Sequence, residues 1–502
     1  MLRRDFGKTV LGAIASTALA GPAKAAGATP CADFPKVSGV TDYVARFVAE
    51  TKFEDIPADV IELGKKSILD GLGLALAGSR AETGTLCRQY LQTIGASEGK
   101  STIIGSAQKT SPRFAAFVNG VSIHADDFDD TQLSAAKDRV YGLLMHPTVP
   151  VLPAIFALAE QGSAVSGKDF MLAYHLGAEV ECKIAEAISP RHYQDGFHST
   201  GTCGPFGSVA ASAKLLRFDH TKILNAFGLA ASQSSGLREN FGTMTKPFQA
   251  GHAAESGVVS AQLVALGWTA ADQILEADRG FFHAFGGSYD PPVIMDRLGK
   301  PWTFASPGVS LKPYPSGSLS HPAMTELMRL IEINDIKPAQ VEKVDIGANH
   351  NMTTTLLRHQ PKTGLEAKFS MEFCLAILLL ERKAGLGEFS DKIAQRSDVQ
   401  EMIRRINFYV DPEAENAGFD KMTSLLKIHL KDGRVITGRA DFAKGSPSNP
   451  MSFEEAATKF RGCADYAGCS PQKAEKIISF VKTLESASDV STLSPLLSAE
   501  KG

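Results

Sequence analysis

The sequence predicts a mainly α protein: a large all-α domain, a smaller α+β domain after it, and C-terminal helices that return to the first domain. Three observations predict this. Apolar residues recur at helical spacing over residues 39–307, alternation at period two appears only beyond Pro307, and helical spacing comes back from Ser452. With 502 residues, 44% hydrophobic and 21% charged, the chain is long enough to bury two cores.

Residues 1–25 read as a twin-arginine export signal. Arg3-Arg4 leads through Asp5-Phe6-Gly7-Lys8 into a mildly apolar stretch, Thr9 to Ala20, and a small-residue site at Ala23-Lys24-Ala25. The apolar stretch is shorter than the ~20 residues a membrane span needs, so cleavage after Ala25, a periplasmic location and no membrane association of the mature protein are expected. Residues 26–38 form a polar linker. In the helical domain, Ile61, Ile68, Leu72 and Leu76 lie on one face and Gly78 stops the run; further helices are expected over Val151–Gln161, Phe170–Ile188, Phe206–Leu216 and Ala250–Leu266. Several are rich in Ala, Gly and Ser, which permits close helix contact.

Residues 308–447 are expected to form the α+β domain. Val344/Ile346, Ile406/Phe408/Val410 and Leu426/Ile428/Leu430 alternate as strands do, and Asp432-Gly433 before Arg434-Val435-Ile436-Thr437 signals a hairpin. Pro322–Ile333 and Ala367–Leu379 read as helices. Residues 448–490 are helical again, through Phe453–Arg461 and Gln472–Leu484, and 491–502 are a tail.

The formal net charge of -3 gives no basic field for a polyanion, and no Lys/Arg cluster interleaves with aromatics, so nucleic acid is not an expected partner. Seven cysteines are scattered without zinc spacing, so no structural metal is expected. Cys463 and Cys469 are close enough in sequence to bridge in an oxidising compartment, but buried free thiols are the simpler state.

The chemistry concentrates in a few polar segments. His124-Ala125-Asp126-Asp127-Phe128-Asp129-Asp130-Thr131 sets four acids within five residues against an apolar helical background, and such charge is costly to bury without partners. Then come His146-Pro147, Phe197-His198-Ser199-Thr200-Gly201, Thr245-Lys246-Pro247, and Lys312 with His321-Pro322. Taken singly, a histidine is more often structural and a lysine solvated. Taken together, imidazoles tunable near neutral pH and ammonium groups able to hold carboxylates fit proton transfer on a small acid.

These motifs, with Ile68-Leu69-Asp70-Gly71-Leu72-Gly73, Asn119-Gly120, Gly251 to Ala254, Glu366-Ala367-Lys368-Phe369-Ser370 and Asn449-Pro450-Met451, resemble the MmgE/PrpD family over Val40 to Leu484. That family contains 2-methylcitrate dehydratase, cis-aconitate decarboxylase and iminodisuccinate epimerase. The resemblance implies a helical domain, an α+β lid, a cleft between them, a homodimer, and neither metal nor organic cofactor. It carries Asp127, Thr131, His146, His198, Lys246 and Lys312 onto the cleft, with His321 close by. His146 and His198 would be acid and base, Asp127 would orient an imidazole, and Thr131, Lys246, Lys312 and His321 would bind the substrate, a small di- or tricarboxylate. Departures from the family pattern are extra residues between Thr131 and His146, including Lys137 and Arg139, and Gln132 and Gln360 where some relatives have His and Tyr.

The expected function is therefore that of a lyase or isomerase working through enolate-like charge beside a carboxylate, with dehydration of 2-methylcitrate placed first and epimerisation or decarboxylation as alternatives. Two other classes compete. One is a non-catalytic periplasmic carboxylate-binding protein. The other reads Asp126 to Asp130 as a magnesium and diphosphate motif, which needs a second acidic cluster that the sequence lacks.

Overall fold

The computed structural model describes residues 34–132, 145–418 and 421–499. The export-signal reading and the extra residues after Gln132 lie outside them. Among the described residues no helix is long and apolar enough to cross a membrane.

The fold is mainly α, as the sequence predicts. The first domain is built on α1 (Val40–Glu50), α2 (Ala58–Gly78), α3 (Glu82–Thr93), α4 (Pro112–His124), α5 (Thr148–Ala159), α6 (Gly167–Ile188), α7 (Ser199–Leu215), α8 (His220–Ala231) and α9 (Thr245–Ala265). Its centre is assembled from α4, α5, α7 and α9, buried nearly all round because their small residues let backbones approach. Helix α7 begins seven residues before the expected Phe206. Its first turns, Ser199-Thr200-Gly201-Thr202-Cys203-Gly204-Pro205, carry poor helix formers that tertiary burial overrides. Helix α9 likewise starts at Thr245 rather than Ala250, since Pro247 in a first turn loses no hydrogen bond.

Helices α4 and α9 run antiparallel and nearly touch. A Cβ on Gly120 would lie 2.8 Å from the Gly251 Cα, and one on Gly251 would lie 2.6 Å from the Phe117 carbonyl oxygen and 2.5 Å from Val121 Cγ2. This crossing brings the C-terminal end of α4, with His124, against the N-terminal end of α9, with Lys246. Gly251→Ala is expected to destabilise the protein by about 1–3 kcal/mol through overpacking, read as a lower urea midpoint at unchanged slope; an unchanged midpoint would mean the crossing tolerates a methyl group.

The second domain follows a two-residue pairing of β1 (Thr131–Gln132) with β2 (Val309–Ser310). Its sheet has the order β4-β3-β5-β6, from β3 (Val341–Ala348), β4 (Ile406–Val410), β5 (Ser424–Leu430) and β6 (Val435–Ala440). β3 and β4 are parallel and the other pairs antiparallel. Val344 faces Ile406 on one side and Ile428 on the other, and this apolar face is covered by α10 (His321–Asn334) and α11 (Met371–Glu381). The helix expected over Ala367–Leu379 is instead broken. Gly364–Ala367 forms one turn, and α11 restarts at Met371 because the Ser370 hydroxyl accepts from Phe373 N–H as an N-cap.

The chain then returns to the first domain. In α12 (Phe453–Tyr466), Phe460 and Cys463 pack against Gly73 of α2, where a side chain would collide, and α13 (Pro471–Lys482) adds Ile477, Ile478 and Val481 to the same core. Leu493 and Leu497 are buried there too. Cys463 is buried and Cys469 half-buried, both as free thiols.

Candidate active site

The segment between α4 and β1 is where the acids stand, and each residue from 126 to 130 is tied to a different part of the chain. Asp126 accepts from Lys368 at 2.7 Å. Asp127 accepts from Lys246, and from Lys312 at 3.1 Å. The Phe128 carbonyl accepts from Lys459 at 2.7 Å, whose ammonium also lies 3.8 Å from the Phe128 ring centroid. Asp129 meets the imidazoles of His124 and His146. Asp130 accepts from Thr148, both N–H and hydroxyl, at the start of α5. The cost of burying three of these acids and part of a fourth, Asp126, is offset by three lysines of distant sequence, two imidazoles and a helix N-terminus. Asp127 has φ 49°, the left-handed region that Asp adopts more readily than most residues, and its two lysines hold it there.

A cleft between the domains opens beside this segment. Its polar lining includes Asp127, Thr131, His146, His198, Lys246 and Lys312, and its apolar walls include Tyr193, Phe241, Leu319, Leu356 and Phe369. The structure thus brings together six of the seven site residues named from the sequence. His321 stands apart: it is buried at the start of α10, its Nε2 is 3.1 Å from both Oγ and the carbonyl oxygen of Ser316, and it does not line the cleft. Thr131 Oγ1 lies 3.1 Å from Ser318 Oγ, joining the two sides of the cleft.

Hydrogen bonding fixes the tautomers. His198 Nδ1–H donates to Gln249 Oε1 at 2.7 Å, because the Gln249 amide nitrogen is spent on the Leu237 carbonyl. His198 Nε2 is then a bare lone pair, and it is buried with no partner among the described residues. His124 Nδ1–H donates to Asp129 at 2.9 Å, so its Nε2 accepts from Lys246 at 2.7 Å. His146 Nδ1–H donates to the Asp130 carbonyl at 2.9 Å. All three imidazoles are held neutral. Burial is the first cause in each; Lys246 reinforces it, and His124 is pushed down to about 4.

Burial alone would raise Asp127, but Lys246 and Lys312 outweigh it and hold the carboxyl far below its ordinary range. Lys246 is itself lowered, first by burial and then, against the pull of Asp127, by Lys312. Each lysine commits two N–H groups, Lys246 to His124 and Asp127, Lys312 to the Asp127 carbonyl and carboxylate. An ammonium has three, so each retains one with no partner among the described residues.

His124, Asp129 and His146 place potential ligand atoms within 4.8 Å of one another and are the residues that could hold a metal ion. The two Nδ1 atoms lie within hydrogen-bond distance of acceptors, and the Lys246 ammonium on His124 adds positive charge beside them. The residue that orients imidazoles is accordingly Asp129, while Asp127 serves the lysines.

Behind the site lie acids that burial makes harder to ionise. Burial lifts Asp130 to about 7 despite its bonds to Thr148. Glu181 on α6 is fully buried, its two oxygens without partners among the described residues, and burial followed by Asp130 raises it well above the ordinary range. A folded-state pKa raised in this way contributes stability that is present below pH 4.5, where the unfolded carboxyl is also protonated, and lost as pH rises through the folded value. Glu181→Gln removes that titration. The stability difference between variant and parent is therefore expected to shift in the variant's favour as pH rises above 4.5, the ordinary glutamate value, toward the raised folded value; parallel urea midpoints from about pH 4 to 8 would show that Glu181 does not carry the effect.

His124 and Asp129 were visible only as members of the acidic run. Gln249 stands three residues after Lys246 on α9, hence on the same face, which is a usable signal. Lys459 gave none, because its partners, the Phe128 carbonyl and the Asp70 carboxylate, stand more than 300 residues away in the sequence.

Comparison with known proteins adds the following. The MmgE/PrpD N-terminal domain matches residues 42–293 and the MmgE/PrpD C-terminal domain residues 314–485. The chain is 30% identical over 470 residues to cis-aconitate decarboxylase of Homo sapiens, covering 92% of this chain and 95% of that protein. It is 28% identical over 494 residues to cis-aconitate decarboxylase of Aspergillus terreus, covering 93% and 97%. It is 25% identical over 484 residues to cis-aconitate decarboxylase-like protein oryM of Aspergillus oryzae, covering 92% and 98%.

Proposed function

Because the chain belongs to the MmgE/PrpD family through both of its domains and is a lyase of that family, we propose that it decarboxylates a small unsaturated tricarboxylate of the cis-aconitate kind without an organic cofactor. The observation that carries this reading is the meeting, in one cleft, of His198 Nε2 with two ammonium groups, where Nε2 and one N–H of each ammonium have no partner among the described residues. The names of the relatives move the emphasis from dehydration, which the sequence put first, to decarboxylation.

In the proposed reaction, the bond from carbon to the departing carboxylate breaks and its electron pair forms a new carbon–carbon double bond. The electron pair of the former double bond takes a proton at its far carbon, and carbon dioxide leaves. Negative charge builds on the carboxylate conjugated with that carbon, where Lys246 and Lys312 stabilise it electrostatically in a water-poor cleft. His198 delivers the proton. Empty, the site keeps its imidazoles neutral; a bound polyanion counters the effect of Lys246 and favours the imidazolium, so the proton enters with the substrate. Asp129 keeps His146 and His124 oriented through their Nδ1 atoms.

The test is turnover of cis-aconitate, 2-methylcitrate and iminodisuccinate by the protein lacking residues 1–25, followed by proton NMR in deuterium oxide. Decarboxylation places one deuterium in the product and releases carbon dioxide. Water loss from 2-methylcitrate alone would return the assignment to dehydration, and no turnover or exchange with any of the three would count against a carboxylate lyase. Export by the twin-arginine route is proposed alongside, with the processed chain expected in the periplasmic fraction.

A further inference from the structure

Among the described residues lining the cleft, the basic and acidic side chains apart from the imidazoles are Lys246, Lys312 and Asp127, so two ammonium groups face one carboxylate. That leaves a surplus of one positive charge for a substrate bearing two or three carboxylates. Neutral donors must hold the rest, and the structure presents them in one place. Helix α7, 17 residues long, starts at the cleft wall with His198 as its N-cap, and Ser199 and Thr200 line the cleft.

The ring of His198 is held to Gln249, so it caps no N–H of α7. His198 N–H donates to the Gly236 carbonyl, and the N–H groups of Gly201 and Thr202 to the His198 carbonyl. Those of Ser199 and Thr200 have no acceptor among the described residues. A second, independent observation points the same way. Ser199 is 1% exposed and its Oγ has no hydrogen-bond partner among the described residues, although a buried hydroxyl without one costs free energy. Among the described residues, Ser199 Oγ–H, Ser199 N–H and Thr200 N–H are thus three uncommitted donors at the positive end of a helix dipole, next to His198 Nε2.

We propose that the N-terminus of α7 with Ser199 is a second carboxylate subsite, opposed to the lysine pair, and that it selects acids carrying at least two carboxylates. One carboxylate meets the free N–H groups of Lys246 and Lys312, another meets Ser199 and Thr200, and the carbon chain between them passes His198 Nε2. A monocarboxylate fills only the lysine end. The proposal rests on the carboxylate-lyase reading of the same cleft.

Calorimetry with the protein lacking residues 1–25 tests both separately, using the non-reacting tricarballylate and, as a single-charge control, butyrate. Ser199→Ala is expected to weaken tricarballylate about tenfold, the loss of a charge-assisted hydrogen bond, and to leave butyrate unchanged. No binding of tricarballylate by the parent protein would overturn the carboxylate reading of the cleft. Binding that Ser199→Ala leaves unaltered, or weakens equally for both acids, would overturn the subsite alone. Should the variant fold poorly, a crystal of the parent protein soaked in tricarballylate decides. A carboxylate oxygen within about 3.2 Å of Ser199 Oγ and the Ser199 or Thr200 nitrogen supports the subsite, and a carboxylate placed elsewhere overturns it.

Discussion

Replacing His198 with Gln is expected to lower kcat by about 10²–10⁴-fold, the usual contribution of a positioned proton donor or acceptor, with little change in melting temperature. The second nitrogen of this imidazole has no partner among the described residues, so its loss leaves none of them stranded except Gln249, which a glutamine side chain at 198 can also reach. Tricarballylate affinity should move far less than kcat. Steady-state kinetics and a thermal melt on the same preparation check this, and a variant keeping more than a tenth of the parental kcat would remove His198 from the proton-transfer role.

The second large effect belongs to Lys246. Lys246→Met is expected to reduce kcat/KM by about 10³-fold, since a preorganised cation at the developing charge is lost, and also to lower stability, because Asp127 is left buried with a single lysine and a left-handed backbone. These two consequences can be separated. Adding Asp127→Asn to Lys246→Met removes the stranded carboxylate, so urea midpoints should recover while activity stays low. Recovery of activity as well would mean that Lys246 acts only by balancing Asp127.

The second domain was legible from period-two alternation because its strands are half-buried: Val344, Ile346, Leu426 and Ile428 are buried while Lys427 is exposed. Helices α7 and α9 were seen but misjudged at their N-termini. Those turns hold Gly, Ser, Thr and Pro, which intrinsic propensity disfavours and burial stabilises. The six cleft residues came through resemblance, not periodicity. What the chain alone could not disclose was who partners whom within the acidic run. Asp127 and Asp129 differ by two positions, and only the left-handed turn at 127 sends one to the lysines and the other to the imidazoles. His321, close to Lys312 in sequence, is not among the residues lining the cleft.

The segment 126–130 draws its partners from α9, from the second domain through Lys312 and Lys368, and from α12 through Lys459. Recombination between relatives is therefore constrained at places far from any crossover point. A chimaera that exchanges residues 308–447 imports two of the four counter-ions at once, and one that exchanges the C-terminal helices imports a third. Such hybrids should remain active only where donor and recipient agree at all of these lysines, however well the exchanged modules pack.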